Sequence, residues 1–230
     1  MLNDAGRITS NREPAASRGP LFFLVRGTAH CAWAIRADVP DALAAQLDGL
    51  AREEPPVVEL GDAPVHADQY LSVLKDRFLS AEHHRTAIVQ SAGPAFSFPT
   101  GIQESTDIVF VEDERLLDHN FRGWVPGEIA AGSGPVAAVM VEGYPVSICF
   151  SARASDAAAE AGVETAERFR GRGLASRVTA AWALAVRASG RVPLYSTSWT
   201  NRPSLAVACK LGLIAYASSW SLSDLIIRAA

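Results

Sequence analysis

The sequence predicts an α+β chain, a mixed α/β fold whose central mixed sheet is flanked by helices, and three stretches carry that prediction. Pro135 to Val141 and Val146 to Ala152 are apolar runs on either side of Glu142-Gly143-Tyr144-Pro145, which reads as a β-hairpin with Gly143 supplying the turn conformation. Ala157 to Thr165 follows as a strand whose period of two puts Glu160, Gly162 and Glu164 on one face and Ala161, Val163 and Thr165 on the other. A basic turn then leads into a helical pattern of Leu174, Val178, Ala181, Trp182 and Ala185 that ends at Gly190.

The remaining elements can be placed in order. Met1 to Pro20 is polar and rich in Arg, Asn, Ser and Pro, with no apolar leader region, and is expected to be a flexible tail. Leu21 to Val25 and Gly27 to Ile35 are candidate strands. Leu43, Leu47 and Leu50 mark a helix that opens at Asp38 and Pro40 and is stopped by Pro55-Pro56. A second helix is expected over Asp68 to Leu79, then His83-His84 in a polar turn. Thr86 to Val89 and Ala95 to Phe98 read as two strands broken by Gly93-Pro94, and Asp107 to Val111 as another. Asp113 to Asn120 is expected to form a helical turn. Past the hairpin and the basic turn, Val192 to Trp199 is a strand by its aromatic and β-branched content. Asn201 is placed to cap a helix with Pro203 in its first turn, which stops at Gly212. Leu213 to Trp220 and Ser221 to Ile227 are expected as two closing strands. These elements divide into a tail (1–20), an N-terminal α/β region (21–105), expected on the substrate side, and a C-terminal domain (106–230).

Composition excludes several classes. The chain has 230 residues, 49% hydrophobic, and a net charge of −4, so no overall basic field draws it to nucleic acid or to a membrane surface. No apolar run approaches the ~20 residues of a membrane span. Three dispersed cysteines, Cys31, Cys149 and Cys209, lack metal-ligand spacing and suit a reducing cytoplasm; each is expected as a buried small hydrophobe, and no metal is expected.

Against that acidic background, Arg168-Phe169-Arg170-Gly171-Arg172-Gly173-Leu174-Ala175 stands out. Two glycines permit φ > 0 and close backbone approach, and the helix that starts near Leu174 aims its unpaired N–H groups into the turn. Such a turn cradles phosphate, and Arg168, Arg170 and Arg172 add charge-assisted donors. A dinucleotide fingerprint would need a third small residue in place and an acid on the next strand, which offers Ser196 and Thr197 instead; a Walker loop would need Gly-Lys-Ser/Thr.

The order hairpin, strand, basic turn, helix, strand, short helix, strand resembles the GNAT superfamily of N-acetyltransferases over Ile108 to Arg228. The residues that carry the likeness are the signature Arg168-x-x-Gly171-x-Gly173, the helix opening Asn201-x-x-Ser204, and Lys210-Leu211-Gly212-Leu213, where the family shows K-x-G-F and Leu213 replaces the usual Phe. The resemblance implies acetyl-CoA, or another short acyl-CoA, bound between two splayed parallel strands, Ala157–Thr165 and Leu194–Trp199. The edge at Val163 and Thr165 would hold the pantetheine arm, the amides of Arg170 to Ala175 the pyrophosphate, and Asn201 with Ser204 would stand beside the cosubstrate.

The implied activity is transfer of an acetyl group to a primary amine of a small molecule, directly within a ternary complex. A protein or peptide amine as acceptor, and a non-catalytic acyl-CoA sensor, are the alternatives, and the chain is compatible with a homodimer. Amine attack needs a base, and Glu160 or Glu164 could take the proton directly or through water. The acid is missing from its family position, a Tyr on the short helix, which is Ala208 here. Cys209 lacks the partner histidine that a nucleophile would need.

Overall fold

The computed structural model describes residues 1–11, 18–78, 86–103 and 105–226. Leu79, His83, His84 and Ile227 lie outside these, so the expectations that fell on them have no structural counterpart here.

The amphipathic patterns resolve as expected at the N-terminal end. β1 (Phe22–Gly27) and β2 (Cys31–Ile35) form an antiparallel pair. α1 (Asp41–Arg52) buries Leu43, Ala44, Leu47 and Ala51, and α2 (Ala67–Phe78) adds Tyr70 and Leu74 to the same core. These helices cover one face of the sheet, against Phe22, Leu24, Trp220 and Leu222. Beneath them a buried Arg26 pairs with buried Glu54, whose carboxylate also accepts the Tyr70 hydroxyl at 3.1 Å and the Val65 amide at 2.6 Å.

Two pairs of expected strands are single strands. β3 (Thr86–Ser97) runs straight through Gly93-Pro94, and β9 (Ile214–Ile226) absorbs both closing strands. The proline is tolerated because it sits just past the end of the β8 ladder, where β3 pairs only over Ala95–Ser97, and a bulge follows between Ala95 and Phe96. The glycine marks a close approach rather than a break: a Cβ at Gly93 would stand 1.6 Å from the Thr197 carbonyl oxygen.

Residues 1–20 are corrected in part. Ile8 is buried and bridges Arg36, and Arg7 donates to the Arg36 carbonyl at 2.9 Å, so the start of the chain is tied to the sheet by an apolar anchor.

The C-terminal elements are β4 (Val109–Phe110), a 3₁₀ turn at Glu114–Leu116, the hairpin β5 (Ala137–Val141) and β6 (Tyr144–Ala154), then β7 (Ala158–Thr165), α3 (Leu174–Ala188), β8 (Val192–Ser196) and α4 (Arg202–Lys210). Among the described residues the strands form one nine-stranded sheet in the order β2-β1-β9-β3-β8-β7-β6-β5-β4. α3 lays Val178, Trp182 and Val186 on one face, and residues 111–136 cover the other face of β5 and β6 with Val111, Leu117, Phe121 and Trp124. β3 therefore lies between β8 and β9, so the sheet is continuous across position 105. Among the described residues no helix is long and apolar enough to cross a membrane.

The approach at Gly93 yields a test. Gly93→Ala is expected to destabilise the fold by about 2–3 kcal/mol, since the neighbouring atoms are backbone and cannot rotate away; urea unfolding of the variant and the native chain measures it.

Candidate functional site

β7 and β8 run parallel for three residue pairs, Ala158 with Val192, Ala159 with Pro193 and Glu160 with Leu194, and then separate. β7 keeps β6 on its other side up to Thr165, so its open edge between Ala161 and Thr165 faces a cleft of about 1160 Å³. The opposite wall is Tyr195 to Ser198 and the start of α4. Two glycine-dependent features shape the gap. Gly162 packs against the Phe150 ring, where a Cβ would come within 2.6 Å of the ring, and Gly93 admits the Thr197 carbonyl as the chain leaves β8.

At the upper end of the cleft the chain makes the basic turn. Phe169 and Arg170 close a 3₁₀ turn through their amides to Ala166 and Glu167. Gly171 and Gly173 then adopt φ of +75° and +73°, which only glycine takes without strain. No side chain caps α3, whose first residues Leu174, Ala175 and Ser176 line the cleft. The first-turn N–H groups of a helix have no partner within it, and here they carry the positive end of the dipole into the open space. α4 is treated differently: Asn201 Oδ1 accepts the Ser204 amide at 3.2 Å, and Pro203 occupies the first turn. Asn201 is thus the cap that its spacing indicated.

The structure brings together in this one cleft Val163, Glu164, Thr165, Arg170, Gly171, Gly173, Leu174, Ala175, Asn201 and Ser204. It does not bring Arg168 or Arg172 there. Their guanidinium groups stand over the Phe169 ring at 4.9 and 5.2 Å from its centroid, and Arg172 also donates to the Arg168 carbonyl. A flat guanidinium is attracted to the face of an aromatic ring, so Phe169, itself part of the cleft wall, engages both cations. Arg170 stays in the cleft wall but spends its Nε on the Thr165 carbonyl at 3.1 Å.

The two candidate bases part company as well. Glu160 does not line the cleft. Its Oε1 accepts Arg153 Nη1 at 2.9 Å and Ser196 Oγ at 2.5 Å, so it bridges β7 and β8 where their pairing stops. Glu164 is exposed on the cleft wall beside Asn120 and Phe121. Burial first, then the charges of Glu114 and Glu164, hold the Glu128 carboxyl above its usual range on the same side.

Two further side chains, assigned no role from sequence alone, line the cleft. Tyr195 is 3% exposed and lines the cleft, with its hydroxyl 2.6 Å from Ser204 Oγ; burial raises its phenol above the ordinary range. In the sequence Tyr195 is one of several groups near the missing acid, with Cys209, Ser204 and Tyr216, none of them at the family position. Lys210 also lines the cleft, and its Nζ lies 2.6 Å from the point a Cβ on Gly173 would occupy. Its sequence signal was the Lys210-x-Gly212 helix ending, which carried no role. Ala208, at the family's tyrosine position, is buried against the α3 core. Cys149 is buried as expected, whereas Cys31 is half-buried and Cys209 is exposed, because the outer side of α4 faces solvent. Among the described residues no group of three His, Cys, Asp or Glu side chains converges as metal ligands would.

Comparison with known proteins agrees with this geometry. Residues 110–218 match the family model for the GNAT acetyltransferase. No curated protein matches the sequence. Among solved structures, one assigned to the GNAT acetyltransferases from Novosphingobium aromaticivorans DSM 12444 is 20% identical, covering 62% of this chain and 68% of that one with a TM-score of 0.51. A conserved protein of unknown function from Staphylococcus epidermidis ATCC 12228 is 13% identical over 85% of this chain and 84% of its own, with a TM-score of 0.50. A Drosophila protein, also 13% identical, covers 97% of this chain and 82% of its own at the same TM-score of 0.50. At these identities the solved structures establish likeness of fold.

Because Asn201 caps the helix that forms one wall, Asn201→Ala is expected to cost about 1 kcal/mol of stability. Chemical denaturation of the two proteins checks this independently of any ligand.

Proposed function

We propose that this chain, whose residues 110–218 match the family model for the GNAT acetyltransferase, is an acyltransferase that transfers an acetyl group from acetyl-CoA to a primary amine of a small molecule, directly within a ternary complex. The observation that carries this reading is the cleft itself, where an open strand edge and an uncapped helix N-terminus share one space. The residues present fit the cosubstrate: Gly171 and Gly173 leave the turn free of side chains, and the α3 amides supply donors for a pyrophosphate. Backbone groups of Val163 and Thr165 would pair with the amide-bearing arm, as one strand pairs with another. The thioester, when bound, supplies an activated acyl group.

The chain's own residues then handle the proton. An amine is nucleophilic only when deprotonated, and of the two carboxylates that line the cleft, Glu164 on β7 and Glu167 in the turn beyond it, Glu164 on the strand accepts this proton at its Oε atoms. Glu160 serves instead as a tie between β7 and β8, because its Oε1 already takes two hydrogen bonds. Glu164 and Glu128 make the acceptor side negative, which suits a protonated amine arriving from solution. On the opposite wall the Tyr195 phenol is the hydroxyl that can give a proton to a departing thiolate, with Ser204 Oγ holding it in place.

A second reading has one observation in its favour. The buried methyl of Ala208, in place of a phenol, suits a module that binds acyl-CoA without turning it over. Calorimetry and a thiol-release assay across a panel of primary amines separate the two. Micromolar binding of acetyl-CoA with amine-dependent thiol release supports the enzyme, and binding without release supports the sensor. In the enzyme, Glu164→Gln is expected to lower kcat by about 100-fold while leaving acetyl-CoA affinity unchanged, since a general base contributes about 10²–10⁴. A larger loss in Glu160→Gln than in Glu164→Gln would reverse the assignment.

A further inference from the structure

The basic turn has three arginines, yet the cation that stands over its glycines comes from another element. We propose, on the acyl-CoA reading above, that Lys210 is the phosphate-binding cation of this site and gives it a preference for thioesters that carry a pyrophosphate.

Lys210 closes the last turn of α4, where the helix dipole favours a positive charge. From there its side chain crosses to the turn before α3, and Nζ occupies the space beside Gly173 that any other residue would fill with its Cβ. Gly173 is favoured by its φ of +73°, and its missing side chain leaves the room that the ammonium uses. Lys210 forms no ion pair with another described residue, whereas Arg168 and Arg172 are held on Phe169 and Arg170 on the Thr165 carbonyl. The cleft wall at this point thus offers the α3 amides, the Lys210 ammonium and Arg170, whose Nε is already engaged. A compact ammonium with three rotating donors suits adjacent phosphate oxygens without needing the planar match of a guanidinium. An acyl group on a carrier protein's phosphopantetheine brings a single phosphodiester, while the nucleotide thioester brings a pyrophosphate that spans both Lys210 and the helix amides.

The test is calorimetry on the native chain, Lys210→Ala and Lys210→Arg with three probes. These are acetyl-CoA, dephospho-acetyl-CoA (which keeps the pyrophosphate and lacks the ribose phosphate) and S-acetylpantetheine. Lys210→Ala is expected to bind the first two about 10-fold more weakly, a loss of about 1.4 kcal/mol, and S-acetylpantetheine as the native chain does. Lys210→Arg keeps the charge and is expected to recover most of the affinity. Unchanged acetyl-CoA affinity in Lys210→Ala overturns the proposal. So does an equal loss for S-acetylpantetheine, which would mark a change of fold, or a loss confined to acetyl-CoA, which would place Lys210 on the ribose phosphate. Failure of the native chain to bind acetyl-CoA is a different result, which overturns the cosubstrate reading and this proposal with it.

Discussion

A parallel strand pair that stops after three residues is the constraint on which the rest of this structure depends. Backbone N–H and C=O groups need partners, and a strand that loses its neighbour within a sheet presents a row of unpaired donors and acceptors. β7 is in that position from Ala161 to Thr165, with β6 on one side and the cleft on the other. The separation is built rather than incidental. Glu160 and Ser196 tie the strands together at the last pair, and beyond it β8 is drawn aside as Thr197 settles against Gly93 of β3. A side chain at Gly93 would push back on the same backbone that opens the cleft.

The second consequence concerns charge. A turn with three arginines suggests that guanidinium groups do the binding, but only Arg170 reaches the cleft wall. Two arginines stand over Phe169, and the backbone of the turn, with Gly171 and Gly173 at positive φ, sets the direction in which Gly171 to Ala175 present their amides. Binding by amides costs little reorganisation, since α3 holds them in place before any ligand arrives. On this view Arg168 and Arg172 shape the cradle from outside, and Lys210 supplies the charge inside it.

How much of this was legible in the sequence follows from the range of the interactions involved. The hairpin, the β7–turn–α3 unit and the Asn201 cap depend on residues close together in the chain, and each was read within a residue or two. The errors arose where partners are distant in sequence. Gly93-Pro94 is locally a strand breaker, and its pairing with Ser219 and Ser218 of β9, far along the chain, makes it a strand interior. Glu160 and Glu164 share a face by periodicity, so nothing local separates them; Arg153 and Ser196 do, by engaging one and leaving the other on the cleft wall. Tyr195 and Lys210 could be given no role for the same reason, because their placement comes from Ser204 and Gly173.

The same topology bears on what the N-terminal half contributes. The matched region ends at position 218, inside β9, and β9 has no direct pairing with β8. Between them lies β3, which forms a ladder with β9 along most of its length and with β8 over Ala95 to Ser97. Residues 110–218 by themselves would leave β8 with an unpaired outer edge and would leave Thr197 without the surface it rests on. β3 in turn is held to the sheet by β9, which β1 flanks on its other side, and the Arg36–Asp224 pair links the β2 end of the sheet to β9. Sheet edges are costly to leave open and ready to pair wrongly. The unit that keeps the cleft in shape is therefore the whole sheet, with the N-terminal strands acting as the wall against which β8 bends.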